Sequence, residues 1–225
     1  MAGEEEWVPL TLTFVEYPKG DLTGKCLAAI SLTPVCILVG LATLLLLKRD
    51  LHTMAYFFGL VLNEAINFIL KHIVQESRPT RGAEKLFTEY GMPSSHAQFM
   101  GFFAVYFILF IYIRIISQDR WQQMLWKCCL SLTVASAAVL VACSRVYLQY
   151  HTVPQVVYGL LIGVLIGTSW FVITHRYMTP LFAIIASWQI SEFLMIRDCS
   201  RIPDIMWFEY TAIRKESRLR ERKTN

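Results

Sequence analysis

Three short segments hold the residues equipped for chemistry in this chain: Lys71-x6-Arg78-Pro79, Pro93-Ser94-Ser95-His96 and Ser144-Arg145-x5-His151. Each lies at the edge of a long apolar stretch. Together they supply three cations, two histidines and the two small hydroxyls of Ser94 and Ser95. A phosphate ester or anhydride resists attack partly because its own negative charge repels nucleophiles. Fixed cations on the non-bridging oxygens remove that repulsion and stabilise the charge of the transition state. Lys71, Arg78 and Arg145 are the groups for this, and the two guanidinium groups can hold oxygens bidentately. Pro79 disfavours helical backbone at Arg78. A helix carrying Lys71 is therefore expected to end at Arg78, seven residues on, with the two side chains converging.

Pro93-Ser94-Ser95-His96 reads as a helix start, where unpaired N–H groups and the helix dipole attract anions. Ser94 and Ser95 add hydroxyl donors, and His96 is placed to protonate a leaving oxygen. In the third segment, a neutral His151 imidazole can attack phosphorus and form a phosphohistidine, which water then hydrolyses. Thr152 suits an N-cap and Pro154 a first helical turn. Gln155, four residues past His151, can accept a hydrogen bond from the ring and orient it. Taken singly, each segment has a plainer reading: snorkelling for Lys71, a simple N-cap for the serines, an interfacial anchor for either histidine. In this order on one side of a membrane they are far more specific. The motif loops offer few carboxylates, Glu76, Glu84 and Glu89, with no His-x3-His pattern. No metal or cofactor is expected.

The elements that must position these residues are written in the hydropathy. The 225 residues are 55% hydrophobic, and the excess falls in runs near the roughly 20 residues needed to span a bilayer. Clear spans are predicted at about 27–47, 97–113, 129–143 and 155–174, with a shorter one over about 54–70. The short span carries Asn63, Glu64 and Asn67, which are expensive against lipid and are expected to face inward. Asn63, Asn67 and Lys71 recur every four residues, on one helical face. Residues 181–196 are apolar but broken by Gln189, Ser191 and Glu192, which suits an interfacial segment better than a sixth span. The expected fold is an all-α polytopic membrane protein: a bundle of about five transmembrane helices with an interfacial C-terminal segment. The six cysteines show no disulfide or metal spacing, and the acidic N-terminus lacks the basic region of a cleaved signal peptide.

Five spans put the N-terminus and all three motifs on one face with seven of the Lys and Arg residues, and the other 14 on the opposite face. The positive-inside rule assigns the richer face to the cytosol. The expected division is a non-cytosolic segment over 1–26, a transmembrane core over 27–174, and an interfacial segment with a basic cytosolic tail over 175–225. Arg222-Lys223, two residues from the end, is similar to a dibasic endoplasmic reticulum retrieval signal. The expected partner is bilayer lipid bearing a phosphate, with no nucleic acid and no obligate protein partner.

The three segments resemble the signature of the type 2 phosphatidic acid phosphatase superfamily: Lys-x6-Arg-Pro, Pro-Ser-Gly-His and Ser-Arg-x5-His-x3-Asp. The resemblance implies phosphate binding by Lys71, Arg78, Ser94 and Arg145, a general acid in His96, a nucleophile in His151, and catalysis without metal. Two positions depart from the pattern. Ser95 stands in place of the glycine. Gln155 stands in place of the aspartate, and a neutral amide orients the ring but stabilises its positive charge less well. Within the superfamily, Phe14-Val15-Glu16-Tyr17-Pro18, Tyr90-Gly91-Met92-Pro93-Ser94-Ser95-His96, Ser144–His151 and Trp207-Phe208-Glu209-Tyr210-Thr211 look like the eukaryotic dolichyldiphosphatase group. That likeness implies hydrolysis of dolichyl diphosphate to dolichyl phosphate and inorganic phosphate on the lumenal face of the endoplasmic reticulum, recycling the carrier lipid of N-glycosylation. A broader lipid phosphatase and a catalytically weak membrane scaffold are the alternatives.

Overall fold

Lipid offers no partner to a backbone N–H or C=O, so a crossing segment must satisfy its own hydrogen bonds, and the apolar runs accordingly become helices. The computed structural model describes residues 7–9, 15–79, 90–115, 120–202 and 205–224. Arg81, Glu84, Lys85 and Glu89 lie outside the described residues, as does Phe14. Two short strands, β1 (Trp7–Pro9) and β2 (Glu16–Pro18), pair antiparallel. The helices α1 (Leu22–Ile30), α2 (Thr33–Lys48), α3 (Leu51–Val74), α4 (Ser95–Ile113), α5 (Arg120–Tyr147) and α6 (Val153–Ile173) follow. A π turn over Thr174–Met178 leads into α7 (Thr179–Ala186), and then come α8 (Gln189–Phe193) and α9 (Ile205–Thr224).

Among the described residues, five helical stretches are long and apolar enough to cross a membrane: Leu22–Lys48, Leu51–Val74, Ser95–Ile113, Met124–Tyr147 and Val153–Ala186. Their outer faces carry exposed Val39, Leu46, Leu132 and Leu165, as a lipid-facing surface requires. The protein is a multi-pass membrane protein built as an all-α bundle.

Two boundaries differ from those read in the sequence. The last span runs on past 174 to Ala186, because a single i→i+5 turn (Thr179 N–H to the Thr174 carbonyl) accommodates the break ahead of Pro180. Residues 179–186 therefore belong to that span, and only Gln189–Phe193 forms a separate short helix. The basic tail forms the last part of the 20-residue α9.

The bundle centres on α4, whose Met100, Phe102 and Tyr106 are fully buried. Tyr56 of α3 stacks on Tyr106 with ring centroids 4.2 Å apart, and Phe171 of α6 meets Tyr106 edge-on. The closest packing is α4 against α6. A Cβ at Gly163 would lie 2.1 Å from the Gln98 carbonyl oxygen, so only a glycine lets the two backbones approach this far. At the end away from the motifs, Asp50 caps α3 by accepting from Thr53 N–H at 3.1 Å. Arg197 pairs with that corner, accepting from Leu51 N–H at 3.1 Å through its carbonyl.

Candidate active site

All three motifs end at one face of the bundle, because they occupy the C-terminal end of α3, the start of α4 and the α5–α6 turn. Each is set by local backbone chemistry. Helix α3 stops at Val74, with Gln75 in the left-handed region (φ 53°) and its N–H on the Lys71 carbonyl. This is four residues earlier than the proline signal suggested. Lys71 sits in the last turn, 5% exposed, while Arg78 lies beyond the helix in an extended segment. Ser77 bridges Tyr90 there, and Arg78 Nε donates to the Tyr90 carbonyl at 3.3 Å. The convergence of Lys71 and Arg78 thus comes from a chain reversal, not from two turns of helix.

Gly91 closes that reversal: its N–H donates to the Glu76 carbonyl at 2.6 Å. A Cβ there would sit 2.8 Å from Gln155 Oε1 and 2.9 Å from Arg78 Cγ, so the glycine is what lets the segment press against the site. Ser94 is the N-cap of α4, with extended backbone, and is fully buried. Its N–H donates to the Gln155 carbonyl at 3.1 Å, stitching the second motif to the third. Its hydroxyl has no hydrogen-bond partner among the described residues. Ser95 and His96 open α4 and are half-buried. The N–H groups of a first helical turn have no intrahelical acceptor, so Ser95 and His96 present amides as well as side chains.

Helix α5 ends in a Schellman turn around Gln149 (φ 57°): Gln149 N–H bonds the Val146 carbonyl and Tyr150 N–H the Arg145 carbonyl, each at 3.0 Å. The turn folds Arg145, 3% exposed, back against the ring of Tyr150, its Cζ 4.1 Å from the ring centroid. His151 follows, 2% exposed. Thr152 and Gln155 then form a reciprocal capping box that starts α6. Ser144 of the third motif is buried but spends its hydroxyl on the Val141 carbonyl.

Gln155 is completely buried, and its amide orientation is determined by backbone groups that have no choice of role. Oε1 accepts from Thr152 N–H at 3.2 Å, and Nε2 donates to the Ser77 carbonyl at 3.0 Å. His151 Nδ1, 3.1 Å from the same Oε1, must therefore carry the proton. The Nε2 lone pair is left for the site. Burial first, then the Arg145 and Arg78 charges, hold the His151 ring well below the ordinary histidine range; the Gln155 bond opposes this, and Lys71 adds a smaller push in the same direction. The same three cations act electrostatically on His96. The structure thus brings Lys71, Arg78, Ser94, Ser95, His96, Arg145, His151 and Gln155 to one place.

Three contributors escaped the sequence reading. Gln98, fully buried one turn into α4, donates to Asn63 Oδ1 at 3.0 Å and accepts from Asn67 Nδ2 at 2.8 Å. Asn67 also reaches the Pro93 carbonyl at 3.3 Å, tying the serine turn to α3. A glutamine just inside an apolar run was the available signal. Tyr150 is the second, since its hydroxyl accepts from Glu16 N–H at 2.9 Å and anchors β2 over the site. The third is Glu76, whose Oε1 lies 2.8 Å from Gln155 Nε2. Among the described residues, no three His, Cys, Asp or Glu side chains converge as a metal-binding group.

The chain is similar to known proteins over nearly its whole length. "Dolichyldiphosphatase 1" of Rhinolophus ferrumequinum is 53% identical over 220 residues, covering 96% of this chain and 92% of that protein. The protein of the same name from Mus musculus is 52% identical over equal coverage. Among solved structures, the transmembrane PAP2-type phosphatidylglycerolphosphate phosphatase of Bacillus subtilis superposes with a TM-score of 0.57 at 17% identity. It covers 71% of this chain and 80% of its own, a likeness of fold. The PAP2 superfamily pattern matches residues 52–179, which takes in every one of the eight residues gathered above, and this chain is a member of that superfamily.

Proposed function

We propose that this protein hydrolyses dolichyl diphosphate to dolichyl phosphate and inorganic phosphate by way of a phosphohistidine. The observation that carries the chemistry is a buried His151 with its proton held on Nδ1 by Gln155 and three cations around it. The substrate is supported by the likeness, over almost the full chain, to proteins named for that activity.

Lys71, Arg78 and Arg145 take the non-bridging oxygens of the terminal phosphate, joined by the Ser94 hydroxyl and the first amides of α4. His151 Nε2 donates its lone pair to phosphorus, the bond to the bridging oxygen breaks, and the inner phosphate leaves with that electron pair. His96 donates a proton to the departing oxygen. Water then attacks the phosphoryl group on His151 with His96 as base, the P–N bond breaks, and inorganic phosphate departs. A site at the end of the spans meets a lipid phosphate while its tail stays among the hydrocarbon chains. On this reading the segment ahead of α1 and the site lie in the endoplasmic reticulum lumen, the spans from Leu22 to Ala186 form the core, and the chain beyond them ends in the cytosol, as the excess of Lys and Arg on the opposite face supports.

The test is phosphate release by purified protein in detergent from dolichyl diphosphate, dolichyl phosphate and phosphatidate. Release from the diphosphate alone supports the proposal. Comparable release from phosphatidate would replace it with a general lipid phosphatase, and no release from any would favour a scaffold.

A further inference from the structure

A neutral amide on the nucleophilic histidine lacks the negative charge that stabilises an imidazolium. In this structure a carboxylate stands one hydrogen bond further out. Glu76 Oε1 accepts from Gln155 Nε2 at 2.8 Å, and Gln155 Oε1 lies 3.1 Å from His151 Nδ1. We propose that Glu76 is a positioning residue for the reaction, supplying through the Gln155 amide the charge that stabilises His151 as it becomes positive.

The amide serves as a conductor because its direction is held. All four of its hydrogen-bonding positions are taken: Oε1 by His151 and Thr152, Nε2 by Glu76 and Ser77. A carboxylate on the N–H side draws density toward Oε1, and hydrogen bonds in series polarise one another in the same sense. Attack on phosphorus leaves the ring cationic with its proton still on Nδ1, so the chain tightens in the transition state more than in the ground state. That is the condition for raising kcat. Glu76 sits in the same segment as Arg78, just past the end of α3, and its backbone carbonyl holds Gly91. A purely structural role is therefore the alternative to be separated.

Glu76→Gln keeps an acceptor for Gln155 Nε2 and removes only the charge. It should lower kcat about 10- to 100-fold, the scale of losing an outer partner of an oriented histidine. KM and the inhibition constant of inorganic vanadate should stay within about twofold, because the cations that grip the anion are untouched. Adding Gln155→Glu to that variant moves the charge directly onto His151 Nδ1 and should restore part of kcat, the remainder being lost with the donor to the Ser77 carbonyl. Unchanged kcat in Glu76→Gln would overturn the proposal. So would a loss that appears in KM or vanadate binding, or one that the double substitution does not recover while both variants bind vanadate normally. The inference rests on the phosphohistidine reading, and each variant is assayed on phosphatidate as well as dolichyl diphosphate, beside His151→Ala. A wild type active only on phosphatidate would sink the substrate assignment and leave Glu76 to be judged on phosphatidate. Retained activity in His151→Ala would sink both.

Discussion

Gln155 holds His151 from below, its Oε1 3.1 Å from the ring Nδ1, and the same residue accepts from the Ser94 N–H through its backbone carbonyl at 3.1 Å. One residue thus positions the proposed nucleophile and the anion-binding turn together. Where the superfamily pattern has an aspartate, this chain uses a side chain long enough to reach back to the Glu76–Ser77 segment.

Gln155→Asp is accordingly expected to slow the enzyme. The shorter carboxylate cannot donate to the Ser77 carbonyl, which loses its partner, and it sets a second negative charge beside Glu76. A loss of about 10-fold or more in kcat is expected, from the repulsion with Glu76 and a tilted ring. Steady-state kinetics on dolichyl diphosphate measure it; turnover equal to or above wild type would mean the longer side chain gives no advantage.

His151→Ala should remove turnover by about 10⁴-fold or more, as losing a nucleophile does. His96→Ala should cost less, about 10²- to 10⁴-fold. The two separate with an aryl phosphate whose leaving oxygen needs no proton. His96→Ala should recover much of its loss in kcat/KM, which reports the phosphorylation step, on that substrate and His151→Ala none. Equal recovery by both would reverse or void the assignments.

Arg145→Lys keeps the charge but loses the planar fork and the stacking on Tyr150. A fall of about 10²-fold in kcat/KM with weaker vanadate inhibition is expected, on the scale of losing one oxyanion donor. Wild-type vanadate affinity in this variant would show that Arg145 does not grip the phosphoryl oxygens.

The pH dependence follows from the lowered pKa of His151. Burial and the neighbouring cations favour the neutral ring, so lowering the pH from 7.5 to 5.5 leaves it neutral and nucleophilic. An ordinary histidine would be mostly protonated below about 6.5. The acid limb of log(kcat/KM), corrected for substrate ionisation, should therefore lie below that value. A limb at about 6.5 that vanishes in no other variant would contradict the burial argument.

Gly163→Ala should destabilise the bundle, since the added methyl would lie 2.1 Å from the Gln98 carbonyl oxygen and neither helix backbone can yield cheaply. A cost of about 1–3 kcal/mol is expected, read as a lower Tm in detergent. Gly40→Ala is the control: it meets no atom within 4 Å and should leave Tm unchanged or raised.

By itself the sequence determined that the chain crosses a membrane about five times, and it singled out the residues proposed to carry the chemistry. Hydropathy over some 20 residues reports partition into lipid directly, and Lys71, Arg78, Ser94, His96, Arg145 and His151 are bound to their neighbours by short fixed spacings. Tertiary structure decided what spacing does not encode. Lys71 and Arg78 come together through a left-handed residue at Gln75 and a reversal closed by Gly91 N–H on the Glu76 carbonyl and by the bridge of Ser77 to Tyr90. The last span continues to Ala186 because one π turn absorbs the break that Pro180 announces. Glu76 and Gln155 are 79 positions apart in the chain, and no local periodicity signals a hydrogen bond whose two ends are joined only when α3 and α6 pack around α4. The identities of the proposed reacting groups are legible locally, whereas the direction in which each points is set by partners distant in sequence.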